Sequence, residues 1–292
     1  MADPFESLRA PYEPVEPDPL FAERLRDRLW RAVLDRPAVR PDGGDRTDES
    51  DIYEGDDMST VTVLRQGDVG FADLAVPDTR RAAAFYANVL GWRYDEEGRR
   101  VLDVTPAHGL WADEGRTLFL VFQVDDVRAA VRRVRAAGGR AEEPASKPYG
   151  LVADCEDDQG LRFALYEDAG HGRATESPRP GDLAYVTIEV PDAARARAFW
   201  GDVLGWEFTP GSVPEGWNVL RRGAELRPMT GLQGAAPKAA VIPMYAVADV
   251  AAAVARVRGG GGTAGEPQPR PYGFLAECED DQGMRFYLGQ LT

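Results

Sequence analysis

From residue 68 onward, short apolar runs alternate with polar positions at period two and end in aspartate. They are "FADLAVPD", "FLVFQVDD", "YVTIEVPD" and "IPMYAVAD". Side chains of a strand point alternately to its two faces, so each run reads as a strand with one covered face. After each aspartate the period changes to that of an amphipathic helix. Asp78, Asp126, Asp192 and Asp249 are suited to the N-cap, where a carboxylate accepts the free amide protons of the first turn. Behind the first helix the pattern places Ala84, Phe85, Val89 and Leu90, and behind the second Val127, Val131 and Val134. Glycines in "LGW" and "AAGG" supply left-handed C-caps. Short β-rich runs follow, "WRYDEE", "RVLDVT", "LVADCEDD" and "RFALYE". Each half-module therefore reads β-α-β-β-β, and the fold class is α+β.

The pattern is duplicated. Residues 73–92 match 187–206 at an offset of 114, whereas 124–139 match 247–262 and 147–167 match 270–290 at 123. The second copy holds nine extra residues between Trp206 and Ile242. Two tandem modules result, 68–170 and 182–292, joined by the Pro/Gly-rich linker "HGRATESPRPG". Residues 1–60 are an added extension. Within it, about 19–34 predict a helix with Phe21, Leu25, Leu29 and Val33 on one face and Trp30 and Leu34 nearly opposite, and 41–59, with eight acids and one arginine, predict a disordered linker.

A net charge of −15 disfavours nucleic acid and anionic membrane as partners. The extension carries 16 acids against 8 basic residues. No apolar run is long enough to span a bilayer, the start is unlike a signal peptide, and two cysteines make no disulfide framework, so the expected location is the cytoplasm.

The strand-Asp-helix unit with "FYANVLGW", the second helix after "VDDV", and "DDQGLRFALYE" together resemble the vicinal oxygen chelate superfamily, which includes glyoxalase I, bleomycin-resistance proteins and extradiol dioxygenases. The tandem arrangement is similar to metal-free, two-module antigen-like members of actinobacteria. The resemblance covers about 68–292. It implies a cup-shaped sheet in each module. It also implies a divalent metal held by His or Gln seven residues before the first strand-end Asp, a His at the matching place in the other half, and a Glu on the last strand. Those places hold Phe71, Phe119 and Ala164 in module one, and Tyr185, Ile242 and Tyr287 in module two. A slip of one residue finds Ala72, Leu118, Leu120, Phe163 or Leu165. Carbon side chains offer a metal no lone pairs. The histidines, His108 and His171, fall elsewhere. No metal and no cofactor is expected.

Alternation puts Phe71, Asp73, Phe119, Gln123, Arg162 and Tyr166 on the cup face of module one, and Tyr185, Glu189, Met244, Arg285 and Tyr287 on that of module two. Acid, arginine and rings suggest a pocket for a small organic ligand such as an antibiotic or metabolite to be sequestered, with a cation favoured by the acidic balance. Equally, Asp73–Arg162 and Glu189–Arg285 could be ion pairs inside filled cups. An enzyme reading makes Asp73 or Glu189 the general base of a metal-independent lyase, isomerase or cyclase. A third makes the protein an interaction module, with degenerate cups and a homodimer or protein partner docked through the N-terminal helix; the same amphipathic pattern equally suits a helix that covers an apolar strip of its own modules. Trp111 and Trp217 either reach the cup mouths or are ordinary core or interface tryptophans, and Tyr149 and Tyr272 either close the cup edges or pack in their turns. Cys155 and Cys278 read as buried strand residues. The repeated "CEDDQG" reads as a turn with its acids in solvent.

Overall fold

The structure, a computed structural model, describes residues 61–147, 150–168, 173–175 and 177–291. The predicted helix at 19–34, the acidic linker, Tyr149 and His171 lie outside the described residues. The first module contains β1 (Val61–Val63), β2 (Val69–Val76), α1 (Thr79–Leu90), β3 (Arg93–Tyr94), β4 (Arg100–Leu102), β5 (Ala107–Ala112), β6 (Thr117–Gln123), α2 (Val127–Ala136), β7 (Arg140–Ala141), β8 (Ala145–Lys147), β9 (Gly150–Glu156) and β10 (Arg162–Asp168). After β11 (Arg173–Thr175), the second repeats the plan with β12 (Leu183–Glu189), α3 (Ala193–Leu204), β13 (Glu207–Pro210), β14 (Gly216–Arg221), β15 (Ala224–Gln233), β16 (Ala240–Ala246), α4 (Val250–Gly259), β17 (Thr263–Ala264), β18 (Gln268–Arg270), β19 (Gly273–Glu279) and β20 (Arg285–Leu291).

Each module folds into a nine-stranded mixed sheet. The orders are β3-β4-β5-β2-β6-β10-β9-β7 and β13-β14-β15-β12-β16-β20-β19-β17, with β8 and β18 paired to β9 and β19. The two half-modules meet at the central antiparallel pairs β2–β6 and β12–β16. This is the α+β, two-module architecture that the repeat predicts.

All four strand-end aspartates cap their helices. Asp78 accepts from the amides of Arg80 and Arg81, Asp192 from Ala194 and Arg195, Asp126 from Ala129, and Asp249 from Ala252. Gly91 and Gly205 close α1 and α3 at φ 73° and 71°. At α2 and α4 the left-handed residue comes one position later than a simple C-cap, at Gly138 and Gly261. The buried face of α1 is Ala82, Phe85, Tyr86 and Val89, while Ala84 is exposed. The stripe is turned because α1 must also reach the other module.

That reach explains the motif "F-[YW]-x-x-V-L-G-W". The helix-side faces of both sheets and the four helices share one core, with α1 against α4 and α2 against α3. Phe199 and Trp200 pack on Phe163 at 6.2 and 4.8 Å, and Trp206 on Phe122 at 5.3 Å. Reciprocally, Phe85 and Tyr86 pack on Phe286 at 6.2 and 5.6 Å. Each first helix thus buries its rings in the partner module. Rings this large each remove about 150–250 Å² from water, which welds the modules together.

The aspartates of "CEDDQG" do not face solvent as predicted, whereas Glu279 does. Asp157 and Asp280 are 3% and 4% exposed. Each folds back on its own turn, accepting from the amides of residues two and four ahead. Asp158 and Asp281 pair with Arg195 and Arg81 of the opposite module, both at 2.8 Å. The acidic turn is an intermodule contact. Its polarity serves exposed helix N-termini across the junction, which a reading of one module in isolation does not show.

Candidate functional site

The concave face of each sheet, away from the shared core, is the candidate site. In module one, Ala107, Phe71, Val121, Ala164 and Asp154 lie in register across β5, β2, β6, β10 and β9. The matching row in module two is Met229, Tyr185, Met244, Tyr287 and Glu277 across β15, β12, β16, β20 and β19. The predicted strand phase is therefore correct in both modules. Leu74, Val76, Ile188 and Val190 turn to the shared core.

The two cups differ in content. In module one Phe71, Phe119, Val121, Ala164 and Tyr166 form a buried cluster of their own. Asp73 and Gln123 are also buried. Gly109 makes room for Asp73, because a Cβ there would come within 2.2 Å of the Asp73 Oδ1. Gly70 likewise admits the Tyr166 phenol. Arg162 does not form the ion pair with Asp73 that the filled-cup alternative calls for. It turns outward to Asp113 at 3.5 Å and stands 5.4 Å over the Trp111 ring. Arg162 sits at the exposed start of β10, where a guanidinium keeps its hydration by reaching sideways to a rim carboxylate.

In module two the row is more open. Tyr185, Thr187, Glu189 and Tyr287 are half-buried, Arg285 is exposed, and Met229 is 39% exposed. Glu189 and Arg285 form a two-point ion pair, Nη1 to Oε2 at 2.9 Å and Nη2 to Oε1 at 2.8 Å. Burial pushes the Tyr185 phenol up to about 12, with nearby Tyr272 adding to the shift. The Tyr287 phenol is raised too, first by burial and then by the Glu277 carboxylate. Both are neutral hydroxyls at physiological pH. Trp111 is on the cup face, against Phe119 at 5.9 Å. Trp217 is not. Its strand register turns it to the shared core, where Arg197 lies 3.6 Å over the ring.

The residues do not suit a divalent metal. At the places that the superfamily uses for ligands stand Phe71, Phe119, Ala164 and Ile242, all without donor atoms, and two neutral phenols. Among the described residues, no three or more His, Cys, Asp or Glu side chains are grouped to hold a metal ion. His108 is on the core side, fully buried between Trp92 and Tyr245 at 5.5 and 5.7 Å. Its Nδ1–H donates to the Pro106 carbonyl at 2.8 Å, and burial lowers its pKa to about 4. Cys155 and Cys278 are buried thiols pushed up to about 12, mainly by burial.

Fold and cups together define a two-module protein of the vicinal oxygen chelate type. The chain belongs to the glyoxalase/bleomycin resistance protein/dioxygenase superfamily: that family matches residues 68–165, and the glyoxalase-like domain matches 185–288. A relative is the anthracycline biosynthesis protein DauV of Streptomyces sp. strain C5, 25% identical over 79% of this chain and 96% of that one. Another is CFP32 of Mycobacterium tuberculosis, which carries the glyoxylase name, 28% identical over 78% of this chain and 97% of that one. Among solved structures, the Mn(II)-bound glyoxalase of Novosphingobium aromaticivorans matches with a TM-score of 0.59 at 17% identity, covering 77% of this chain and 82% of that one. The 2,3-dioxygenase LapB of Pseudomonas sp. KL28 matches with 0.56 at 18%, covering 77% and 94%. At those identities the likeness is one of fold. No helix among the described residues is long and apolar enough to cross a membrane.

Proposed function

We propose that the protein binds a small organic cation with an aromatic part in the second cup, without a metal ion. The observation that carries this reading is the Glu189–Arg285 pair set beside half-buried Tyr185 and Tyr287, where relatives of this fold place metal chemistry. The phenol faces supply stacking surface and the hydroxyls supply orientation. The cup face carries Glu189, Glu277 and Glu279 against Arg285 and, at the β18 edge, Arg270, a small excess of negative charge that favours a cation. The first cup, closed by Phe71, Phe119 and Tyr166, serves as a structural counterpart. A relative named for anthracycline biosynthesis is consistent with an aromatic ligand. Both Glu189 oxygens are engaged by Arg285, which favours binding over proton abstraction at this carboxylate.

Native mass spectrometry of the protein from its own host, followed by titration with the molecule recovered, tests the reading. Binding should weaken about tenfold or more in Tyr185→Ala and Tyr287→Ala, each of which removes roughly 1.5 kcal/mol or more of ring contact. It should persist in Phe119→Leu and be indifferent to chelators. Binding that needs a divalent metal, or that is lost through the first cup alone, would overturn it.

A further inference from the structure

A cleft of about 710 Å³ lies between the modules and takes no residue from either cup row. Its walls are the turn before β2, the N-terminal end of α2 with Arg133, the last turn of α3, and the β14–β15 hairpin. That hairpin is where module two exceeds module one: β14 and β15 run to six and ten residues, against three and six in β4 and β5. The extra length of the second copy thus supplies one wall.

Four arginines and three aspartates line the cleft, a positive balance in a chain of net charge −15. Three of these charges are engaged. Arg221 pairs with buried Asp68 at 2.9 Å, Arg133 donates to the Val203 carbonyl at 3.0 Å, and Asp126 caps α2. The side chains of Arg65, Arg222, Asp125 and Asp202 have no hydrogen-bond or ion-pair partner among the described residues. They fall at two ends. Arg221 Nη1 donates to the Gln66 carbonyl at 2.8 Å, which brings the adjacent Arg65 and Arg222 to one end. The Asp125 amide donates to Gln66 Oε1 at 2.9 Å, so Asp125 stands there too. From that end α2 crosses the cleft. Its Arg133, about 9 Å beyond Val127 along the axis, reaches Val203 beside Asp202. Asp202 marks the other end, in the last turn of α3, where the carbonyl end of a helix also favours a cation.

Arg222 is held in an unfavourable conformation. The hairpin turns through Arg222 and Gly223, both at positive φ, 49° and 75°. Such a two-residue turn prefers Asn, Asp or Gly at its first position. Arginine there costs backbone energy that glycine would not, and what it adds is a free guanidinium on the cleft.

We propose that this cleft binds a short peptide or peptide-like zwitterion. Its carboxylate sits on Arg65 and Arg222, because guanidinium groups match the two oxygens. The amide N–H next to that carboxylate donates to Asp125, and the ammonium group meets Asp202. A cavity of about 710 Å³ is on the order of 11 Å across, the length of about three extended residues. The site is separate from the second cup and does not depend on what that cup binds.

Titration of the full chain with trialanine at low salt, followed by nuclear magnetic resonance, tests the proposal against two capped forms, N-acetyl-trialanine and trialanine amide. Trialanine should bind, and each cap should weaken binding about fivefold, the worth of one exposed ion pair. Arg222→Gly should weaken trialanine binding by a similar factor while leaving the unfolding temperature unchanged or higher, because glycine suits the turn. Asp202→Asn should abolish the difference between trialanine and its N-acetyl form. Absence of trialanine binding would overturn the proposal. So would N-acetyl-trialanine binding the unsubstituted protein as tightly as trialanine, which marks a site for anions alone. Unchanged trialanine binding in Arg222→Gly would overturn it as well, and would leave Arg222 a turn residue only.

Discussion

The side-chain amide of Gln282 clasps the backbone of Asp78 at two points: its Oε1 accepts from the Asp78 amide at 2.8 Å and its Nε2 donates to the Asp78 carbonyl at 2.9 Å. Gln159 does the same to Asp192, at 2.8 and 3.0 Å. Each glutamine lies in the last turn of one module, and each aspartate caps the first helix of the other. Arg81–Asp281 and Arg195–Asp158 stand beside the clasps. The modules are locked twice, by the same residues in exchanged roles.

Gln282→Ala and Gln159→Ala should each destabilise the protein by about 1–2 kcal/mol, two hydrogen bonds at roughly 0.5–1.5 kcal/mol apiece, less what exposure to water returns. Gln282→Glu keeps the acceptor for the Asp78 amide, loses the donor, and adds a charge beside Asp281, so it should recover little. Denaturant unfolding followed by tryptophan fluorescence measures all three. Losses below 0.3 kcal/mol or so in both alanine variants would mean that water replaces the clasp at no cost.

The clasp was hidden in the sequence for a physical reason. "CEDDQG" and "VPD" are each legible as a turn and an N-cap, because those are local properties of the chain. Their meeting is between modules, and no periodicity encodes it. The cup faces were legible, since alternation fixes which of Phe71 and Ala72 points inward. What lies above each face was not. Asp73 and Arg162 share a face, yet Arg162 reaches along it to the Trp111 ring and the rim carboxylate of Asp113 instead. For Trp217 the sequence leaves cup mouth and ordinary core both open, because its longer hairpin has no counterpart to fix the phase, and the register with β15 decides for the core.

Glycine explains how the rings cross the junction. A Cβ at Gly139 would meet Phe199 at 2.8 Å and the Glu156 carbonyl at 2.6 Å, and at Gly262 it would meet the Glu279 carbonyl at 2.4 Å and Phe85 at 3.1 Å. Neither position has positive φ, so the restriction is packing. Gly139→Ala and Gly262→Ala should each cost about 1–3 kcal/mol, as overpacking does. Gly259, in α4 with open space around it, gives the opposite sign: Gly259→Ala should stabilise by about 0.5–1 kcal/mol through helix propensity. A common sign for all three in thermal unfolding would refute the packing account.

His108 should make the junction sensitive to acid. An unfolded histidine gains its proton near pH 6.5, whereas His108 in the folded protein waits until about 4, because burial between Trp92 and Tyr245 disfavours the charged ring. Between those values the unfolded chain binds more protons. Stability from this group is therefore intact above pH 6.5 and falls as the pH drops, by about 3 kcal/mol in all by pH 4. The carboxyls of Asp157, Asp182 and Asp280 are raised by burial and act in the opposite sense, because acid relieves their buried charge. The measurement must therefore isolate the imidazole. His108→Thr places at this site the residue that module two carries at the matching position, Thr230, also buried. The variant loses packing at every pH, so its absolute stability is not the readout. Its slope of unfolding free energy against pH, between 6.5 and 4, should be shallower than that of the unsubstituted protein by about 1.4 kcal/mol per pH unit, the signature of one proton. Parallel slopes would show that the ring titrates normally and is not held neutral by the aromatic cage.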